Sequence, residues 1–217
     1  MFNENIISSL KDKPSILAID GAINKNGIAF NISDKVYSFV LESDKSLSGT
    51  GRLIDLGDKL ESVLKFNIPM YAVVEGYSFG SIGRTFSISE AGGIYRYLLG
   101  KYNIPTIEVP PTTLKKYITG DGKSDKKKMA LSIKSIFDIS FKTNDETDAF
   151  SLLVTAMDYF NTPLSPIESF NDYLMSKCKL IYGENTNITK ELKVVKRLTK
   201  KQQQIIKEER DHNEFSG

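Results

Sequence analysis

Two short apolar runs, ILAID (16–20) and YAVVE (71–75), each end in a single carboxylate. Runs of this length are too short for a helix and too apolar to leave a face in water. They suit strands buried on both sides, as in a parallel sheet sandwiched between helices. The flanking pattern supports that layout. Residues 15–20, 27–32 and 36–42 read as three strands joined by short polar links, as antiparallel neighbours require. The period then changes. Leu53, Leu56, Leu60, Val63 and Leu64 mark one face of a helix over 52–66. The buried strand IPMYAVVEG (68–76) follows, then a helix over 84–101 carrying Gly92 and Gly93, then a strand at 104–109 stopped by Pro110 and Pro111. TTLKKYI starts a short helix, and TGDGKSD (119–125) is a loop by composition. Ser124 or Asp125 caps the next helix, through 137, and Thr143 or Asn144 caps a last strong helix reaching Phe160. The expectation is an α/β fold, a mixed five-stranded sheet with helices on both faces, over residues 1–160. Residues 161–217 are expected to form a basic extension, mostly helical or partly disordered.

Composition excludes several chemistries. There is one cysteine, Cys178, so no internal disulfide forms and a reducing compartment is expected. The lone histidine is His212, which leaves no Cys–His or Ser–His pair and no zinc site of the Cys/His kind. The N-terminal stretch has no basic region followed by an apolar core, and no run of about 18 apolar residues exists to span a membrane. Net charge is only +2, but its distribution is uneven. Lys115, Lys116, Lys123, Lys126, Lys127 and Lys128 crowd one segment; Lys190, Lys193, Lys196, Arg197, Lys200 and Lys201 crowd another. Basic segments in a nearly neutral chain point to a polyanion, although a solvated helical face explains either run taken alone.

Acids supply the other half of the chemistry. Asp20 and Glu75 end their strands, and Asp145 and Asp148 stand three apart at the start of the last helix, on one face. Each has an ordinary reading alone: a turn former, an exposed strand end, complements to a helix dipole. Together they have another, because strands one and four can be neighbours and the last helix can bring its first turn to their edge. Clustered carboxylates repel one another and raise each other's pKa unless a cation joins them. Oxygen-only donors favour Mg²⁺ or Mn²⁺. Two such ions suit phosphodiester hydrolysis, with lysines to hold phosphate.

The motifs ILAID-G…NGIAF, YAVVEGYSFG, VPPTTLKKYITGDGKSDKKKM and NDETDAFSLLVTA occur here in the order and spacing of RuvC-type Holliday junction resolvases, a branch of the RNase H-like superfamily. The resemblance covers roughly residues 15–160. The third motif is the specific one: Lys115, then Gly120 and Gly122, then Lys126 opening the next helix. The resemblance implies an RNase H-like fold and a homodimer that nicks four-way DNA junctions in symmetric pairs. It implies Asp20, Glu75, Asp145 and Asp148 as catalytic, metal-holding acids, with two Mg²⁺ or Mn²⁺ ions per site. Lys126 is expected at the phosphate, Lys115 in substrate positioning, and Lys116, Lys123, Lys127 and Lys128 in backbone affinity. The basic stretch 190–201 is expected on a DNA arm, and the helix near 84–101 at the dimer face. Two departures stand out. GAINKNG replaces the family's usual Pro-Gly-hydroxyl turn, and Tyr77 and Phe79 lie close to, without matching, the position of an aromatic that stacks on a junction base; these two are the aromatics expected to contact DNA. A cytoplasmic protein, bacterial or from a phage-infected cell, is expected.

Three other readings use the same residues. A nuclease of the same superfamily acting on RNA–DNA hybrids or other branched DNA would share the acids. A nucleotide-binding enzyme of the actin and sugar-kinase type also begins with an Asp-Gly strand turn, but needs a second glycine-rich phosphate loop, and TGDG precedes a lysine-rich helix instead. A non-catalytic DNA-binding module would be expected to have lost an acid, and all four positions are filled.

Overall fold

The structure is a computed structural model that describes residues 14–22, 24–32, 35–77, 82–160 and 171–183, with side chains left aside at 82–88 and 171–172. Its centre is a mixed sheet of six strands in the order β3-β2-β1-β4-β5-β6. The strands are β1 (Ile16–Asp20), β2 (Lys25–Ile32), β3 (Lys35–Glu42), β4 (Tyr71–Glu75), β5 (Thr106–Val109) and β6 (Lys179–Tyr182). β1, β2 and β3 form an antiparallel meander, and β4 joins β1 in parallel. β5 runs parallel to β4, and β6 closes the sheet antiparallel to β5. The helices are α1 (Gly49–Phe66), α2 (Ile82–Lys101), α3 (Pro111–Thr119), α4 (Lys126–Phe137), α5 (Asn144–Tyr159) and α6 (Asn171–Lys177).

Five strands were expected and six are present. The extra strand, with α6 before it, comes from a stretch whose apolar pattern is short: KLIY is largely exposed and carries no period long enough to read. The compact unit runs on to Gly183, beyond residue 160. The basic stretch 190–201 lies outside the described residues.

Strand alternation assigns each side chain to a face. Ile16, Ala18, Val73, Ile107 and Val109 pack with α3, α4, α5 and α6. Leu17, Ile19, Ala72 and Val74 pack with α1 and α2 on the opposite face. α5 is the central helix of its layer. Twelve of its sixteen residues, Thr147 and the run Ala149–Tyr159, are buried. A helix apolar nearly all round needs cover on every side, and sheet, α3, α4 and α6 supply it. Its polar residues are satisfied internally: Ser151 donates to the Thr147 carbonyl and Thr155 to the Ser151 carbonyl, both at 2.7 Å.

Candidate metal and nucleic-acid site

The alternation that builds the core also aims the acids. Asp20 shares the parity of Ile16 and Ala18, and Glu75 that of Val73, so both face the α5 layer. The register pairs Ile19 with Val74, which brings the next residues, Asp20 and Glu75, to one level where the two strands end.

α5 delivers the other two. Its start is fixed by a capping box: the Thr143 hydroxyl accepts from the Glu146 N–H at 3.1 Å, and the Thr143 N–H donates to Glu146 Oε2 at 2.9 Å. Such a cap contributes about 1 kcal/mol and defines the first turn, which carries Asp145, with Asp148 three residues on along the same face. The turn lies directly on β2. A Cβ built on Gly27, the residue paired with Asp20, would fall 2.0 Å from the Asp145 carbonyl oxygen. Ser38 of β3 adds a hydrogen bond to the Glu146 carbonyl at 3.3 Å. Gly27 is thus what admits the helix to the strand ends. In the sequence Gly27 reads only as a strand residue, although glycine inside a strand often marks a close backbone approach.

Electrostatics tie the four together. Burial, then Glu75 and Asp148, with a smaller push from Asp145, raise the Asp20 pKa well above the usual carboxylate range, against the pull of Lys126. Burial and Asp148 push Glu75 up to about 7, offset in part by Lys126 and Lys115. Asp148 is raised by burial as well, while Lys126 opposes the shift through a 2.9 Å hydrogen bond and its charge. Burial works against the Lys126 ammonium, but its bond to Asp148 and the charges of Asp148, Asp20 and Asp145 hold its pKa above normal.

Among the described residues no group of three His, Cys, Asp or Glu side chains is arranged to hold a metal ion as it stands. Lys126 already engages Asp148, at 2.9 Å. The donor chemistry nevertheless fits a hard divalent cation: four carboxylates, oxygen only, with the proton affinities of Asp20, Glu75 and Asp148 raised by burial and neighbouring carboxylates.

The lysine segment is better ordered than its composition suggests. Gly120, at φ +77°, ends α3 in the left-handed conformation. Within the loop the Thr119 and Ser124 hydroxyls lie 2.5 Å apart, Ser124 Oγ donates to the Asp121 carbonyl at 2.7 Å, and the Lys123 N–H donates to Asp121 Oδ1 at 2.9 Å. Asp125 caps α4 by accepting from the Lys128 N–H. Lys126 at the helix start therefore reaches Asp148 from a stiff mount. Lys123, Lys127 and Lys128 are exposed, Lys128 within 3.6 Å of Asp121. The charge of Lys115 pulls against the raised pKa of Glu75 and Asp148, while the Lys116 ammonium lies 4.7 Å from the centre of the Tyr173 ring. The Tyr77 ring packs under the Arg96 guanidinium at 4.4 Å, so one face is already taken. Phe79 lies outside the described residues.

The chain also has relatives among known proteins. The chain is 30% identical over 120 residues to the crossover junction endodeoxyribonuclease RuvC of Prochlorococcus marinus strain NATL2A, covering 54% of this chain and 78% of that protein. The chain belongs to the RuvC family. A second RuvC, from Petrotoga mobilis, is 28% identical over 142 residues, 65% of this chain and 85% of the relative. Scanned against protein-family profiles, the chain matches none. In fold, this RuvC-family chain resembles Thermus thermophilus RuvC, with TM-score 0.58 and 17% identity over 70% of this chain and 98% of the other. It likewise resembles that protein in complex with a Holliday junction substrate, with TM-score 0.55 and 17% identity over 64% and 90%. The RNase H-like α/β architecture read from the sequence is therefore the observed one, with its sheet lengthened by β6.

Proposed function

We propose that this chain is a divalent-metal-dependent endodeoxyribonuclease that resolves four-way DNA junctions by paired symmetric nicks. The observation that carries the reading is the convergence of Asp20, Glu75, Asp145 and Asp148 at one end of β1 and β4, with Lys126 bonded to Asp148 at 2.9 Å. Membership of the RuvC family supports the substrate, since its relatives carry the name crossover junction endodeoxyribonuclease.

The four carboxylates would hold Mg²⁺ or Mn²⁺, two ions per site. Bound there, the ions would supply Lewis-acid activation of water and charge for the leaving oxygen. The protein's own contribution is placement. The strand ladder fixes Asp20 and Glu75, and Gly27 and the Thr143 cap fix Asp145 and Asp148. Lys126 is close enough to the acids to contact the scissile phosphate and offset its developing charge. Lys115 positions the strand beside it. Lys123, Lys127 and Lys128 add backbone affinity; the exposed Lys128–Asp121 pair is weak enough to yield to a phosphate. Lys116 makes a smaller contribution, because Tyr173 already holds it. Stretch 190–201 is assigned to a DNA arm on its charge alone.

Paired nicks need two sites, so the active species is a two-fold homodimer, with α2 as the contact helix; Tyr97 on it is 66% exposed. Among the described residues no helix is long and apolar enough to cross a membrane, in keeping with a cytoplasmic resolvase.

The test is incubation of the purified chain with a synthetic four-way junction, a flap and an RNA–DNA hybrid, with and without Mg²⁺ or Mn²⁺. Symmetric nicking of the junction only with metal is expected. Asp145→Asn should abolish nicking and leave junction binding intact. A clear preference for the hybrid, or wild-type nicking by Asp145→Asn, overturns the assignment.

A further inference from the structure

Arg96 on α2 lies on the sheet face opposite the acids, yet it is bonded to the end of the strand that carries one of them. Its Nη2 donates to Glu108 Oε2 at 2.7 Å and makes a longer 3.4 Å contact with the Glu75 carbonyl. Its Nη1 donates to the Tyr77 hydroxyl at 3.0 Å and to the Gly92 carbonyl at 3.2 Å. The guanidinium plane also stacks on the Tyr77 ring. Four directed bonds and a stack leave neither Nη idle, and only a rigid planar fork makes them together.

Two glycines make room for this arrangement. A Cβ on Gly92 would fall 2.8 Å from the Tyr77 hydroxyl and 2.9 Å from Arg96 Nη1, and one on Gly76 would fall 3.3 Å from the Glu108 side chain. Between them the two gaps admit the three side chains of the network, Tyr77 and Arg96 at Gly92 and Glu108 at Gly76. Glu108 belongs to β5, and the Gly76 N–H donates to the Val109 carbonyl at 2.9 Å, so the network joins the ends of β4 and β5 to α2. A half-buried ion pair at such a place is poor evidence for stability. What it does fix is where β4 stops, and Glu75 is the last residue of that strand.

We propose that Arg96 is a positioning residue for Glu75: by clamping the end of β4 from the far face of the sheet, it sets the affinity of the acid cluster for divalent cations. This rests on the reading of the acids as metal ligands. The arginine acts through the backbone and touches neither metal nor DNA.

The test is calorimetric titration of the full chain with Mn²⁺ in the absence of DNA, with junction binding and thermal melting measured in parallel. For supports of metal ligands the usual loss is about 10- to 100-fold in affinity. Arg96→Met is expected to weaken Mn²⁺ binding about 10-fold and to raise the Mg²⁺ needed for half-maximal nicking in proportion, with junction affinity changed less than about 2-fold. Arg96→Lys should not restore the affinity, since an ammonium cannot make the four bonds. Should Arg96→Met not fold, Tyr77→Phe removes one bond with little change in shape and should weaken Mn²⁺ roughly 2- to 3-fold, below the usual range. Unchanged Mn²⁺ affinity in the folded variants, with only the melting temperature lowered, overturns the proposal, as does full rescue by lysine. Asp145→Asn in the same titration separates the two levels. If it binds Mn²⁺ like the wild type, the metal-ligand reading itself fails; if it loses binding while Arg96→Met does not, only the role of Arg96 fails.

Discussion

The strand-borne acids and the helix-borne acids reach the same place by different physics. Asp20 and Glu75 are held by the backbone ladder of a buried sheet, and burial is the largest cause of their raised pKa values. Asp145 stands in the first turn of α5, where the helix dipole favours negative charge; Asp148, three residues on, is raised by burial too but is paired with Lys126. The strand half is rigid and electrostatically costly. The helix half is partly neutralised, but its position depends on how closely α5 approaches β2. A cation in the site relieves the first half, and a tight helix contact keeps the second in range.

The largest break in this comparison comes from Gly27→Ala. Its methyl would meet the Asp145 carbonyl at 2.0 Å, so the helix must retreat by more than an ångström while Asp20 and Glu75 stay on their strands. Displacement of that size at reacting groups costs at least roughly 10²-fold in rate. Overpacking should add about 1–3 kcal/mol of destabilisation. Single-turnover nicking and urea denaturation measure both. A variant with wild-type rate would show that α5 need not lie so near the strand.

Lys126→Ala sharpens the comparison from the helix side. The side chain is 59% exposed, so its loss should cost roughly 10- to 100-fold in turnover, below the effect of a buried donor. Junction affinity should fall much less, because one of several lysines is removed. The opposite split, affinity lost and turnover kept, would make Lys126 a binding residue only.

Much of this was legible in the chain. Apolar runs ending in acids gave the two central strands, and Thr143 and Asp125 were readable as caps because side-chain oxygens at helix starts act locally. β6 was not legible, since a four-residue strand that is mostly exposed has no hydrophobic period. Nor was Arg96, because an arginine on a helix normally points to water and three of its four partners are 12 to 21 residues away. The lysine run looked uniform, yet Lys126 pairs with an acid and Lys116 with a ring, a distinction made by tertiary packing and not by charge.

A pH dependence follows whose sign a divalent ion should reverse. Glu75 has an ordinary pKa of 4.5 and is raised to about 7 in the fold. Between those values the native state holds a proton that the unfolded chain has released. Stability without divalent ions must therefore fall as pH rises through that window, by at most about 3 kcal/mol. Asp20, raised for the same reasons, pushes in the same direction. Glu75→Gln cannot ionise and should flatten the slope. Mg²⁺ should act oppositely, because carboxylates bind it deprotonated, and its stabilising effect should grow with pH. Denaturation midpoints in EDTA and in Mg²⁺, at pH 5 and pH 8, test both. A wild-type protein in EDTA that gains stability between those pH values would mean that the strand-borne acids carry no electrostatic cost, and the contrast between the two halves would collapse.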